Sequence, residues 1–96
     1  MEIIHINNNK DGEFRAMDNE FVAGKITYNW INENCFEIDH TIVDENYSGK
    51  GIGKRLVVAA VEYARENNKK IKPLCPFVIA LFEKIKEFED IRCKIN

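Results

Sequence analysis

Proline is nearly missing from this 96-residue chain. Both residues, Pro73 and Pro76, fall in the single stretch KPLCP, so any break that proline imposes on regular structure is confined there. Long apolar runs are missing as well: no stretch approaches about 18 uninterrupted apolar residues, which excludes a membrane-crossing helix. The opening MEIIHINNN has neither the basic start nor the apolar run of a secretory signal. Neither sign of charge dominates. Fourteen Lys and Arg against sixteen Asp and Glu give a net charge of −2, which argues against a nucleic-acid partner. Only a local basic cluster remains, Lys50, Lys54 and Arg55. The three cysteines, Cys35, Cys75 and Cys93, are odd in number, with no C-x-x-C pair and no histidine at zinc-site spacing. They read as reduced thiols in a cytoplasmic protein, and no metal is expected.

What is present is an ordinary globular composition, 45% hydrophobic and 31% charged, at a length that suits one domain over residues 1–96. Strand patterns fill the first half, at residues 2–7, 13–18, 21–31 and 35–43. NNNKDG, Asn19–Glu20 and N-E-N supply the turns between them. Ile26, Tyr28 and Trp30 share one face of the third strand; Phe36, Ile38, His40 and Ile42 share one face of the fourth, with Asp39 on the other. Short connections favour an antiparallel meander of about four strands.

The period then changes. From Gly51 to about Asn67, Ile52, Leu56, Ala59, Ala60, Tyr63 and Ala64 form the apolar stripe of an amphipathic helix. Residues 70–75 form a short fifth strand, 77–88 a second helix, and DIRCKIN a last short strand. Strand, helix and strand in succession predict a right-handed β-α-β unit with parallel strands four and five. Pro73 and Pro76 lack the N–H needed to complete that ladder, so the two strands must splay. The fold class is therefore α/β with a mixed sheet. A gap beside a helix start is a place for a ligand.

Gly49, Gly51 and Gly53 alternate immediately before the first helix. Glycine there costs conformational entropy, so something must approach the backbone closely. The Walker pattern fails because Arg55 follows Gly53-Lys54, and the dinucleotide fingerprint fails because its third glycine comes one residue early. An anion nest at a helix start fits, with a pyrophosphate as guest. A tight strand-to-helix turn with no ligand would look the same.

Ser48-Gly49-Lys50-Gly51-Ile52-Gly53 resembles the Q/R-x-x-G-x-G/A loop of the GNAT superfamily of acyl-CoA-dependent N-acetyltransferases, departing from it at Ser48. The resemblance runs over roughly residues 20 to 88. IDHT before the loop and PLCPFV after it are similar to a subfamily of very small members, which lack the helical segment between the first two strands. The resemblance implies acetyl-CoA as co-substrate and no metal. The backbone of Thr41, Ile42 and Val43 would pair with the pantetheine arm. Gly49, Lys50, Gly51, Ile52, Gly53 and Lys54 would hold the pyrophosphate, and the thioester would end near Cys75. The acceptor would be an amine that the sequence does not specify.

Cys75 reads either as a buried small hydrophobe or as the nucleophile or acid of an acyl transfer. The acid role is favoured, because an amine can attack the thioester directly. Where the family carries a tyrosine acid in L-Y-E-K, this chain has Leu81-Phe82-Glu83-Lys84, with no proton to give. His40 reads as a general base or as a hydrogen-bonded core residue. An amine N-acetyltransferase is the first reading. A CoA-binding or interaction module that has lost catalysis is the alternative, and a polyanion binder using Lys50–Arg55 is weaker. Either a monomer or a weak homodimer through an uncovered sheet face is compatible with the chain.

Overall fold

In the computed structural model of the protein, residues 1–94 are described. Five strands form one sheet in chain order: β1 (Glu2–Asn7), β2 (Asp11–Asp18), β3 (Phe21–Asn32), β4 (Cys35–Val43) and β5 (Lys70–Pro73). The first four pair antiparallel and β4 with β5 parallel, as the β-α-β pattern requires. Between β4 and β5 lie a 3₁₀ turn, Glu45–Tyr47, and helix α1 (Ile52–Glu66). Helix α2 (Pro76–Lys84) and a 3₁₀ segment, Lys86–Ile91, follow.

Several boundaries differ from the sequence reading for local reasons. Asp11-Gly12 belongs to β2, because Asn8 N–H donates to the Asp11 carbonyl and closes the turn two residues earlier. β5 ends at Pro73, and Cys75 caps α2 with Pro76 in its first turn, where a missing N–H costs nothing. The second helix stops at Lys84, and its continuation tightens into the 3₁₀ segment. The expected last strand reduces to one parallel bridge, Ile71 with Arg92; residues 95–96 of that call lie outside the described residues.

One apolar core joins the sheet to both helices. Phe14, Ile26, Tyr28, Phe36, Ile38 and Ile71 meet Leu56, Val57, Ala60 and Ala64 of α1, with Val78 and Phe82 of α2. The alternate residues Glu13, Arg15, Lys25, Thr27, Asn29 and Glu37 are only partly buried and polar, so the other sheet face carries no helix. Arg65 fastens the end of α1 to the 3₁₀ segment through two bonds to Asp90, at 2.8 and 3.1 Å.

Cys35 and Cys93, read as separate thiols from the sequence, are paired as a disulfide, with Cα atoms 6.4 Å apart. Fifty-eight residues separate them, a distance at which sequence spacing alone carries no signal. Cys75 stays free.

His5, which had no context in the sequence, stacks on Phe14 at 4.0 Å between ring centroids. Its Nε2 lies 2.6 Å from the Tyr28 hydroxyl, which in turn donates to Asn7 Oδ1 at 2.9 Å. That hydroxyl is spent as a donor on Asn7, so His5 donates to it through Nε2; burial pushes the pKa of the ring down, which favours its neutral form. Gly12 makes room for this arrangement. A Cβ there would fall onto the Tyr28 hydroxyl and 2.6 Å from the Ile6 carbonyl oxygen, neither of which can withdraw. Gly12→Ala is therefore expected to destabilise the fold by about 2–3 kcal/mol in denaturant unfolding. A midpoint equal to that of the native chain would mean that the tyrosine is not held there.

Candidate active site

The site begins with a register shift. Thr27 pairs with His40 and Tyr28 with Ile38, so Asp39 is an extra residue in β4, a β-bulge. Before the bulge Phe36 and Ile38 are fully buried; beyond it, Thr41 and Val43 take over the helix-covered side, while His40 and Ile42 turn to the uncovered face. The expected continuous face of Phe36, Ile38, His40 and Ile42 is thus broken. Asp39, expected opposite His40, shares its side: Asp39 Oδ2 is 3.9 Å from His40 Nε2, and the His40 side chain is 72% exposed. His40 is no core histidine.

The bulge coincides with the end of β5. Pairing stops at Ile38 with Pro73, and the Ile38 carbonyl accepts from both Leu74 N–H (3.0 Å) and Cys75 N–H (3.1 Å). Past that point β4 has β3 on one side and no strand on the other. Residues 41–43 therefore present half of their backbone groups to open space, as the proline argument anticipated.

The glycine turn closes the far end of the gap. Gly49 and Gly51 have φ values of 77° and 74°, the left-handed region, and Gly51 is the N-cap of α1. The N–H groups of Ile52, Gly53 and Lys54 then head the helix without intrahelical acceptors, beside its positive end. Gly53 serves differently: a Cβ there would lie 2.8 Å from the Phe77 ring, so its absence lets α2 pack against α1.

Together these elements enclose a cleft of about 450 Å³, lined by Thr41, Val43, Gly51, Gly53, Lys54, Phe77 and their neighbours. Of the residues expected at a cofactor, Thr41, Val43, Gly49, Gly51, Ile52, Gly53 and Lys54 border it. Ile42 turns its side chain away, 54% exposed, and could take part only through its backbone. Lys50 does not border the cleft either; its ammonium lies 5.5 Å from the Tyr47 ring centroid. Phe77 and Leu81 were not foreseen as lining, nor was Tyr47, whose hydroxyl donates to Asp18 at 2.6 Å. No periodicity marks them; contact with the turn is a tertiary fact. Two wider hollows, about 720 and 550 Å³, lie around Cys35–Cys93 and around Asn7 and Trp30, and Thr41, Cys75 and the glycine turn border neither.

Cys75 does not itself border the cleft; it stands just past the near end, against Thr41, which does. Its Sγ–H donates to Thr41 Oγ1 at 3.4 Å. Burial pushes the thiol up, but once the sulfur is ionised the Thr41 hydroxyl can turn to donate to it, and this, with hydrogen bonds from backbone groups of Phe77, Val78 and Thr41, outweighs burial. The net position is below an ordinary thiol. Cys75 and His40 therefore flank the same part of β4 from opposite sides of the sheet. Phe82, at the family's tyrosine position, is 1% exposed in the core and does not border the cleft.

The family model for GCN5-related N-acetyltransferases matches residues 13–91. No curated protein matches the sequence significantly. Among solved structures, a GCN5-like protein from Staphylococcus aureus is 36% identical with a TM-score of 0.75, over 99% of this chain and 90% of that one. GCN5 from Tetrahymena (20% identity, TM-score 0.66) is matched over 80% of this chain and 51% of its own. The ribosomal-protein-S18-alanine N-acetyltransferase of Escherichia coli (16%, 0.67) is matched over 81% and 53%. The chain spans about half the length of these last two, which share its fold.

Proposed function

The chain belongs to the GCN5-related N-acetyltransferase family, and from that membership we propose that it binds acetyl-CoA in the cleft between β4 and β5 and passes the acetyl group to an amine. The carrying observation is the gap itself. A free β4 edge, residues 41–43, runs from the positive-φ glycine turn to a free thiol. The chemistry of the cleft suits the co-substrate. N–H groups and Lys54 face the pyrophosphate end, Val43, Phe77 and Leu81 give apolar walls for the pantetheine arm, and a strand edge can pair with its amides.

The two faces divide the reaction. The thioester would enter from the helix side and reach the gap near Cys75. The amine would come from the uncovered face, where His40 stands. His40, or water, takes a proton from the amine as its nitrogen attacks the thioester carbon. The C–N bond forms, the C–S bond breaks, and the CoA thiolate takes the Cys75 proton. A thiol more acidic than an ordinary one hands that proton over downhill. Backbone N–H groups on the free β4 edge would polarise the carbonyl.

A second reading, CoA binding without catalysis, draws on Phe82: no hydroxyl replaces the family's tyrosine acid. The deciding experiment measures CoA release from acetyl-CoA with a thiol reagent, across peptide N-termini, lysine peptides, polyamines and small amines. Release that depends on an acceptor establishes transfer. Tight binding of acetyl-CoA with no release above hydrolysis for any acceptor would leave the second reading.

A further inference from the structure

We propose that Asp39 is a positioning residue for His40, built into the sheet by the β4 bulge; this rests on the reading of His40 as the base. The bulge is what sets the two side by side. In a regular strand adjacent residues point to opposite faces, and Asp39 would lie across the sheet from its neighbour. Here Asp39 keeps the uncovered side that Glu37 already faces, and the extra residue turns His40 to that side as well.

The carboxylate is fixed from the neighbouring strand. Thr27 Oγ1 donates to Oδ1 at 2.6 Å, and Asn29 Nδ2 donates to Oδ2 at 2.9 Å. Thr27 pairs directly with His40, so the same β3 residue that anchors the carboxylate faces the histidine. Asp39 is accordingly held, with 29% of its side chain exposed, beside an imidazole that is 72% exposed and has no hydrogen bond of its own among the described residues. A carboxylate held 3.9 Å from Nε2 is placed to accept from it once the two close up, which would keep the hydrogen on Nε2 and leave the Nδ1 lone pair free for a substrate proton. Contacts of this kind often tighten only when substrate is present. Other charged groups on this face include Glu13 and Arg15 of β2, which pair with each other, Lys25 of β3, Glu37 of β4 and Lys72 of β5, and none of them pairs with Asp39 or His40.

Asp39→Asn keeps the shape and an acceptor for the β3 donors but removes the charge. In the acetyl-CoA and amine assay kcat is expected to fall about tenfold, with KM for acetyl-CoA within twofold of native. Long-range ¹⁵N–¹H spectra of the imidazole should show a dominant Nε2–H tautomer in the native chain and a loss of that preference in the variant. Thr27→Val, which leaves the charge but removes one anchor, should shift tautomer and kcat in the same direction by a smaller factor. His40→Ala separates the two claims. If it turns over like the native chain, the base reading fails whatever Asp39 does. If it is impaired while Asp39→Asn retains both native kcat and native tautomer, the positioning role is overturned and the base reading stands.

Discussion

Gly51→Val is expected to weaken CoA binding by at least about 100-fold in calorimetric titration, a loss of about 2.7 kcal/mol, while the chain stays folded. Two effects act together. At φ 74° a β-branched residue is strained, by about 1–3 kcal/mol, so the turn will shift away from the geometry that turns its N–H groups toward an anion. The new side chain also meets no neighbour from elsewhere in the fold within 4 Å, so it projects into the open space where the proposed phosphate would lie. Gly53→Val differs in kind. Its Cβ strikes the Phe77 ring at 2.8 Å, and it should lower the unfolding midpoint as well as binding. Native affinity in Gly51→Val would move the pyrophosphate off this turn.

Cys75→Ala combined with His40→Ala is expected to lower kcat by about a thousandfold, each group alone contributing tenfold or more, with CoA affinity unchanged. The pH profile separates the roles. As an acid Cys75 must be protonated, and its thiol lies below the ordinary value of 9.0, so activity should fall as pH rises through that lowered pKa. That alkaline fall should vanish in Cys75→Ala. In Thr41→Val, which removes the hydroxyl able to donate to the ionised sulfur, it should move to higher pH. If instead the acyl group passes through the sulfur, Cys75→Ala alone would abolish transfer and the native chain would carry a thioester on Cys75 in the absence of acceptor. Full activity in the double variant would remove both residues from the mechanism.

Much of this arrangement is legible in the residues. The splay of β4 from β5 follows from two prolines without N–H groups, and the left-handed turn ahead of α1 follows from glycines at alternate positions before a helical stripe. The bulge at Asp39 is not legible. It is a count of residues between two strands, fixed by how β3 and β4 settle on the core, and IDHT looks the same with or without it. Its consequence is large, since it decides that His40 meets solvent and not the core. Gly12 and His5 were unreadable for a related reason. Their meaning lies in a tyrosine ring two strands over for the histidine and one strand over for the glycine.

The uncovered sheet face has a kinetic and steric corollary. Donor and acceptor arriving from opposite sides of one sheet do not obstruct each other. Initial-rate plots should then intersect, with either substrate able to bind first and the acetylated product free to leave before CoA. If the acceptor does meet this face, where no helix walls it in among the described residues, its bulk would not be limited. A folded protein could offer its amine there as readily as a small molecule.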